Sequence, residues 1–138
     1  MPSAEVFLDA NLLIYANSSA AEDAAKRQRV EELILNTSFA LSSQVLQEFI
    51  SNAMRKKALG ITESQIDATL KLAAMVPVLP VTFELVVAGV TIRRRFQTSH
   101  WDATIIAAAQ QLGCHTLYSE DLPHGQSYDG LKVINPFL

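Results

Sequence analysis

An α/β fold with a mainly parallel sheet and helices on its faces is what this sequence predicts, and three observations carry that prediction. Short apolar runs of strand length at residues 5–8, 39–41, 76–81, 115–119 and 131–134 are separated by segments of helical character. The chain has 138 residues, the size of one domain, able to bury roughly two-thirds of the surface exposed when it is unfolded. Acidic residues also follow the first strand (Asp9) and the fourth (Glu120, Asp121), and in parallel sheets ligands gather beyond the carboxyl ends of strands.

The elements follow in order. Residues 5–8 read as a short buried strand, and Asp9-Ala10-Asn11 then opens an apolar helical turn through Leu12, Leu13, Ile14 and Tyr15. Asp9 can cap that helix, but Asn11 is at least as well placed, which leaves Asp9 without an evident structural task. A polar helix over residues 20–35 carries Val30, Leu33 and Ile34 on one face, and 39–41 form the second strand. Ser42 or Ser43 caps a helix running to about residue 58. Thr62-Glu63-Ser64-Gln65 has the form of a capping box, so a second helix runs to about residue 75, and with Gly60 between them the two make a helical hairpin. Pro77 and Pro80 suit 76–81 to an edge strand. Thr82 starts a helix to about residue 96, Ser99 caps the next, and Gly113 ends it. The strand at 115–119, a turn around Pro123 and Gly125, and the strand at 131–134 complete the chain before Asn135-Pro136.

Composition narrows the classes of function. The chain is 49% hydrophobic and 18% charged, and no apolar stretch approaches the roughly 20 residues of a membrane span. Met1-Pro2-Ser3-Ala4-Glu5 lacks the basic and apolar regions of a leader, and the single Cys114 cannot form an internal disulfide; both favour a reducing cytoplasm. A net charge of −3 argues against coating nucleic acid by charge alone. Basic residues are nevertheless clustered. Arg55-Lys56-Lys57 and Arg93-Arg94-Arg95 end two helical patterns, where they either offset the helix dipole or offer cations beside an acidic site.

Most of the 14 acidic residues lie on polar helix faces or at ends and turns. Asp9, Glu48, Asp102 and Asp121 interrupt or border apolar runs instead. Each has an ordinary reading: Glu48 is a boundary glutamate on the edge of the Val45, Phe49, Ala53 face; Asp102 completes a capping box with Ser99; Asp121, with Glu120, shapes a turn. Burying unpaired carboxylates costs several kcal/mol each, so a set of them asks for a shared counter-charge. Hard oxygen ligands without a His or Cys set suit Mg²⁺ or Mn²⁺. No Gly-rich phosphate loop, H-E-x-x-H, paired cysteines or G-x-S-x-G elbow competes with that reading.

The motifs FLDANLLIYA, VLQEF, SHWDATIIAAA, LYSEDLPHG and VINPF resemble, in order and across nearly the whole chain, the PIN-domain family, and in size the VapC-type ribonuclease toxins of toxin–antitoxin pairs. The resemblance implies one PIN-like nuclease domain over residues 1–138, a three-layer α/β/α sandwich, in which Asp9, Glu48, Asp102 and Asp121 form a catalytic, metal-binding acidic quartet for Mg²⁺ or Mn²⁺. Asn11 and Ser119 match supporting polar positions. Glu120 departs from the usual neutral or basic residue before the last aspartate, and strand alternation points Glu120 and Asp121 apart. The family register favours Asp121 on the metal side with Ser119, and Glu120 toward solvent or the RNA path. The implied activity is metal-dependent hydrolysis of RNA phosphodiester bonds, with Arg55, Lys56, Lys57, Arg93, Arg94 and Arg95 as candidate RNA contacts and an antitoxin as partner. Two rivals are a catalytically silent PIN-like metal-binding or protein-interaction module and a phosphoacceptor receiver domain; the latter needs paired acids after the first strand and a strand-end lysine, which the sequence does not supply convincingly.

Apolar residues around Phe49, Met54, Leu70, Leu72 and Met75 exceed what one small core hides, and VapC-like relatives commonly pair, so a homodimer is expected. Light scattering across micromolar concentrations checks this; a constant monomer mass contradicts it.

Overall fold

The computed structural model describes residues 4–138. Strand β1 (Val6–Leu8) is buried along its whole length, as a strand covered on both faces must be. It pairs in parallel with β2 (Phe39–Ser42) on one side, Val6 opposite Phe39, and with β4 (Thr116–Tyr118) on the other, Phe7 opposite Leu117. Beyond β2 lies the two-residue edge strand β3 (Val78–Leu79), and beyond β4 lie β6 (Leu131–Ile134) and the antiparallel β5 (Ser127–Tyr128). The sheet order is β3-β2-β1-β4-β6-β5. The chain leaves β1 toward β2 and leaves β4 toward β6, so the connections part between the two central strands. Such a division opens a crevice at the carboxyl ends, where Asp9 follows β1 and Ser119 follows β4.

Helices α1 (Ala10–Asn17), α2 (Ala24–Asn36), α3 (Ser43–Arg55) and α4 (Glu63–Ala73) connect β1 to β2 and β2 to β3, while α5 (Phe83–Phe96) and α6 (His100–Gln111) return the chain from β3 to β4. Right-handed crossovers therefore place the two sets on opposite faces, giving the three layers. Ser42 caps α3, Thr62 and Gln65 form a reciprocal capping box on α4, and Thr82 and Ser99 cap α5 and α6. The helix expected at 20–35 begins instead with a 3₁₀ turn, Ala21–Asp23, and the one expected to reach residue 58 stops at Arg55 before a 3₁₀ turn, Lys57–Leu59. Gly60, at φ +63°, reverses the chain into α4 and completes the helical hairpin.

Strand β5 is too short for its hydrophobic period to be read from sequence. Its turn was nonetheless written there: Asp129-Gly130, both at positive φ, make the two-residue hairpin connection.

Seven consecutive residues of α6, Ala103 to Ala109, are buried, as expected of a helix wedged between sheet and neighbour. Its small side chains let α5 approach closely. A Cβ on Gly89 would lie 2.9 Å from Thr104 Oγ1, whose hydroxyl already donates to the His100 carbonyl at 2.8 Å. Among the residues invoked for a dimer surface, Phe49 is corrected: it is fully buried among core side chains. Met54, Leu70 and Met75 are exposed, and Leu72 is partly buried against the core. No helix among the described residues is long and apolar enough to cross a membrane.

Gly89→Val overpacks the α5–α6 contact and is expected to cost about 1–3 kcal/mol. A urea midpoint lowered at unchanged slope checks it.

Candidate active site

The end of β1 positions Asp9, and the helix that follows explains its setting. Asp9 is the N-cap residue of α1: its Oδ1 accepts from the Ala10 N–H at 2.7 Å. The expectation that Asn11 is at least as well placed for this task, leaving Asp9 idle, is thereby corrected. Asn11 lies one residue inside the helix, where its amide donates to Asp121 Oδ2 at 3.0 Å and its carbonyl accepts from the Glu120 N–H at 3.4 Å. Asp9 has a second bond. Ser119 donates its hydroxyl to Asp9 Oδ2 at 2.7 Å, and Ser119 Oγ in turn accepts the Asp121 N–H at 3.1 Å.

Ser119 thus links Asp9 to the backbone of Asp121. Glu120 lines the same groove as Asp9, Glu48 and Asp121, and its carboxylate is bound there by the Tyr15 hydroxyl and the Lys26 ammonium. These partners hold it below the usual carboxylate range despite burial.

Glu48 stands half-buried on α3, with Oε1 accepting from Gln44 Nε2 at 3.1 Å. The same Gln44 nitrogen donates to the Trp101 carbonyl at 3.0 Å, tying α3 to the first turn of α6 beside Asp102. For Asp102, the Ser99 hydroxyl accepts its backbone N–H at 3.1 Å, but the reciprocal bond of a capping box is not formed. Ser99 nevertheless stays beside the carboxylate and lowers its pKa, opposing the effect of burial.

Electrostatics link the four acids. Burial pushes Asp9 up from 3.8 to about 6, opposed by its two hydrogen bonds and reinforced by Glu48 and Asp121. Burial also raises Glu48, with Asp102 and Asp121 adding to it, and raises Asp102, with Asp121 adding to it. Asp121, itself exposed, bears on all three of the others. Among the described residues none of the four makes an ion pair with a Lys, Arg or His.

Asp9, Glu48, Glu120 and Asp121 line one groove of about 450 Å³ together with Asn11, Tyr15 and Lys56. Asp102 lies outside its lining. No three His, Cys, Asp or Glu side chains among the described residues stand close enough to hold a metal ion as placed. The donor chemistry still fits a hard divalent cation: every donor is a carboxylate oxygen, the charge is uncompensated, and each Asp9 oxygen spends one hydrogen bond while keeping further lone-pair capacity. Of the basic clusters, only Lys56 reaches the groove. Arg55 bonds Asn52, Lys57 is exposed away from the groove lining, Arg93 and Arg94 are exposed, and Arg95 is committed to Asp129 at 2.8 Å.

Sequence reasoning missed Tyr15, Lys26 and Gln44. Gln44 and Glu48 carried a readable signal, an i,i+4 pair on one helix face. Tyr15 and Lys26 meet Glu120 across more than ninety residues of chain, and nothing local announces that meeting.

An acidic crevice at the parting of a parallel α/β/α sheet defines a class of fold before any comparison is made. The PIN domain family model matches residues 6–122, and the chain belongs to that family. Solved structures of similar fold include the Mycobacterium tuberculosis toxin VapC20, described as cleaving the sarcin-ricin loop, at 20% identity and TM-score 0.68, covering 84% of this chain and 89% of that one. A toxin–antitoxin complex from Klebsiella pneumoniae is similar at 17% identity and TM-score 0.68, covering 95% and 97%. DNA-bound VapBC from Salmonella typhimurium is similar at 20% identity and TM-score 0.66, covering 94% and 96%. No curated protein matches the chain.

A folded-state value of about 6 for Asp9, above the ordinary 3.8, means that the fold favours the neutral acid. The resulting penalty is absent below pH 4, grows as pH rises through 6 and is complete above it, at about 3 kcal/mol. Asp9→Asn keeps a capping side chain without the charge, so the metal-free variant is expected to exceed the parent in stability at pH 8 and to match it near pH 4. Chemical denaturation at the two pH values checks this; a variant less stable at pH 8 contradicts it.

Proposed function

We propose that the chain is a Mg²⁺- or Mn²⁺-dependent endoribonuclease, the toxin of a type II toxin–antitoxin pair, acting in the cytoplasm as a free-standing PIN unit and a homodimer. The observation that carries the reading is a set of four carboxylates, each coupled to Asp121 or through it to the others, three of them raised and none paired with a cation, with Asp9, Glu48 and Asp121 lining one groove and Asp102 beside it. Membership of the PIN family supports nuclease chemistry, and the VapC and VapBC neighbours support the toxin assignment and an antitoxin partner.

In this reading Asp9 and Asp102 would hold the cation directly, and Glu48 and Asp121 would complete its surroundings directly or through water. When bound, a divalent ion supplies charge neutralisation for the phosphate and a water of lowered pKa. Ser119 keeps one face of the Asp9 carboxylate oriented, and Asn11 does the same for Asp121. Glu48, raised by burial and steadied by Gln44, is suited to accept a proton from the attacking water. Lys56, at the rim of the groove, meets the RNA backbone, with Arg55, Lys57, Arg93 and Arg94 as outlying contacts. The four carboxylates do not form a ligand group at their present spacing, so holding an ion would require their side chains to draw together. That spacing also favours a second reading, a catalytically silent PIN-like metal-binding or protein-interaction module.

Incubation with total RNA, with and without Mg²⁺ or Mn²⁺, followed by mapping of new ends, separates the two. Metal-dependent cleavage lost in Asp9→Asn is expected; metal binding without cleavage selects the silent module. In single-turnover assays at saturating RNA, Asp121→Asn is expected to lower the rate at least ~10²-fold. A near-normal rate removes Asp121 from the reacting centre.

A further inference from the structure

Glu120 sits between Ser119 and Asp121 at the edge of the acidic groove, and its side chain is gripped by partners on α1 and α2. Tyr15, one helical turn beyond Asn11 on α1, donates its hydroxyl to Glu120, and Lys26 on α2 pairs with the same carboxylate. Asn11 meanwhile binds Asp121 and the Glu120 N–H. One face of α1 therefore holds both Glu120 and Asp121.

Lys26 reaches further. Its ammonium lies 4.5 Å from the Tyr15 ring centroid and 5.2 Å from that of Phe137, and the two rings pack edge to face at 5.2 Å. Arg29, three residues along α2, donates to the Pro136 carbonyl at 3.1 Å. Lys26 thus joins α2, α1 and the C-terminal segment to the residue preceding Asp121. An exposed ion pair alone contributes little, but both members here are about two-thirds covered and share a third partner.

We propose that Lys26, acting through Glu120 and Tyr15, is a positioning residue that holds Ser119 and Asp121 toward the acidic crevice. Glu120 lies between Ser119 and Asp121 in the bend that follows β4, and Asn11 binds its backbone N–H, so anchoring its carboxylate limits how the backbone on either side of it can turn. Lys26 makes no contact with the acidic quartet in the structure; its effect passes through backbone direction. The catalytic consequence rests on the nuclease reading given above, whereas the positional one does not.

The test uses the full chain with Lys26→Met, which keeps the aliphatic stem, Lys26→Arg, which keeps the charge, and Tyr15→Phe, which keeps the ring against Phe137. In the metal-free protein, amide exchange at Glu120 and Asp121 is expected to accelerate about tenfold in Lys26→Met, to rise less in Tyr15→Phe, and to return toward the parent in Lys26→Arg. Loss of an outer partner of a metal site typically costs 10–100-fold, so Mn²⁺ affinity and the single-turnover rate are each expected to fall about tenfold in Lys26→Met, with the RNA concentration for half-saturation unchanged. Combining Lys26→Met with Glu120→Gln is expected to add little to either alone. Unchanged exchange at Glu120 and Asp121 overturns the proposal, as does weaker RNA binding at an intact rate, which makes Lys26 an RNA contact. If the parent neither binds Mn²⁺ nor cleaves RNA, the nuclease reading fails while the exchange result still decides the clamp. Should Lys26→Met not fold, Tyr15→Phe and Glu120→Gln carry the same exchange measurement.

Discussion

A single buried hydroxyl sets the geometry on which the crevice depends. Ser119, fully buried at the end of β4, donates to the Asp9 carboxylate and accepts the Asp121 backbone N–H. It therefore bridges the ends of the two central strands where their connections part. Its hydroxyl is the right group for that place because it can donate and accept at once. An alanine would leave Asp9 with one hydrogen bond in a desolvated site and release the turn that carries Asp121.

The cluster illustrates the tension between stability and chemistry. Asp9 is nearly inaccessible to solvent yet has no cationic partner, and its raised pKa records that cost. The surrounding core, with Phe7, Leu8, Leu12, Phe49 and Leu117 fully buried, supplies apolar burial that can offset it. A fold that carries such a penalty is poised to gain stability from any cation that enters, because binding only the native state shifts the folding equilibrium. The half-buried positions of Glu48 and Asp102 and the exposed one of Asp121 leave those three side chains room to adjust, whereas Asp9 is held by two hydrogen bonds.

Around this centre the bend leaving β4 is held at each residue. Ser119 joins Asp9 to the Asp121 backbone, while Glu120 is fastened to Tyr15 and Lys26, and through Phe137 to the C-terminal segment. Gln44 plays a comparable part across the crevice by tying Glu48 to the backbone of α6. The acids come from β1, α3, α6 and the segment after β4, so their spacing depends on such cross-links more than on any one element.

The sequence by itself determined the α/β class and the caps at Thr62, Thr82 and Ser99, and narrowed the α3 cap to Ser42 or Ser43, because hydrophobic period and capping chemistry are local properties. Strand alternation does not extend to Glu120 and Asp121, because β4 ends at Tyr118 and both lie in the bend after it. Only the tertiary structure decided that Asp9 rather than Asn11 caps α1, since that depends on where β4 places Ser119 and Asp121. The tertiary structure likewise decided that Phe49 is core, that Lys56 of the basic clusters reaches the groove, and that Glu120 is spent on Lys26. Each of those outcomes rests on contacts between residues far apart in the chain, and no local pattern encodes where a distant partner will stand.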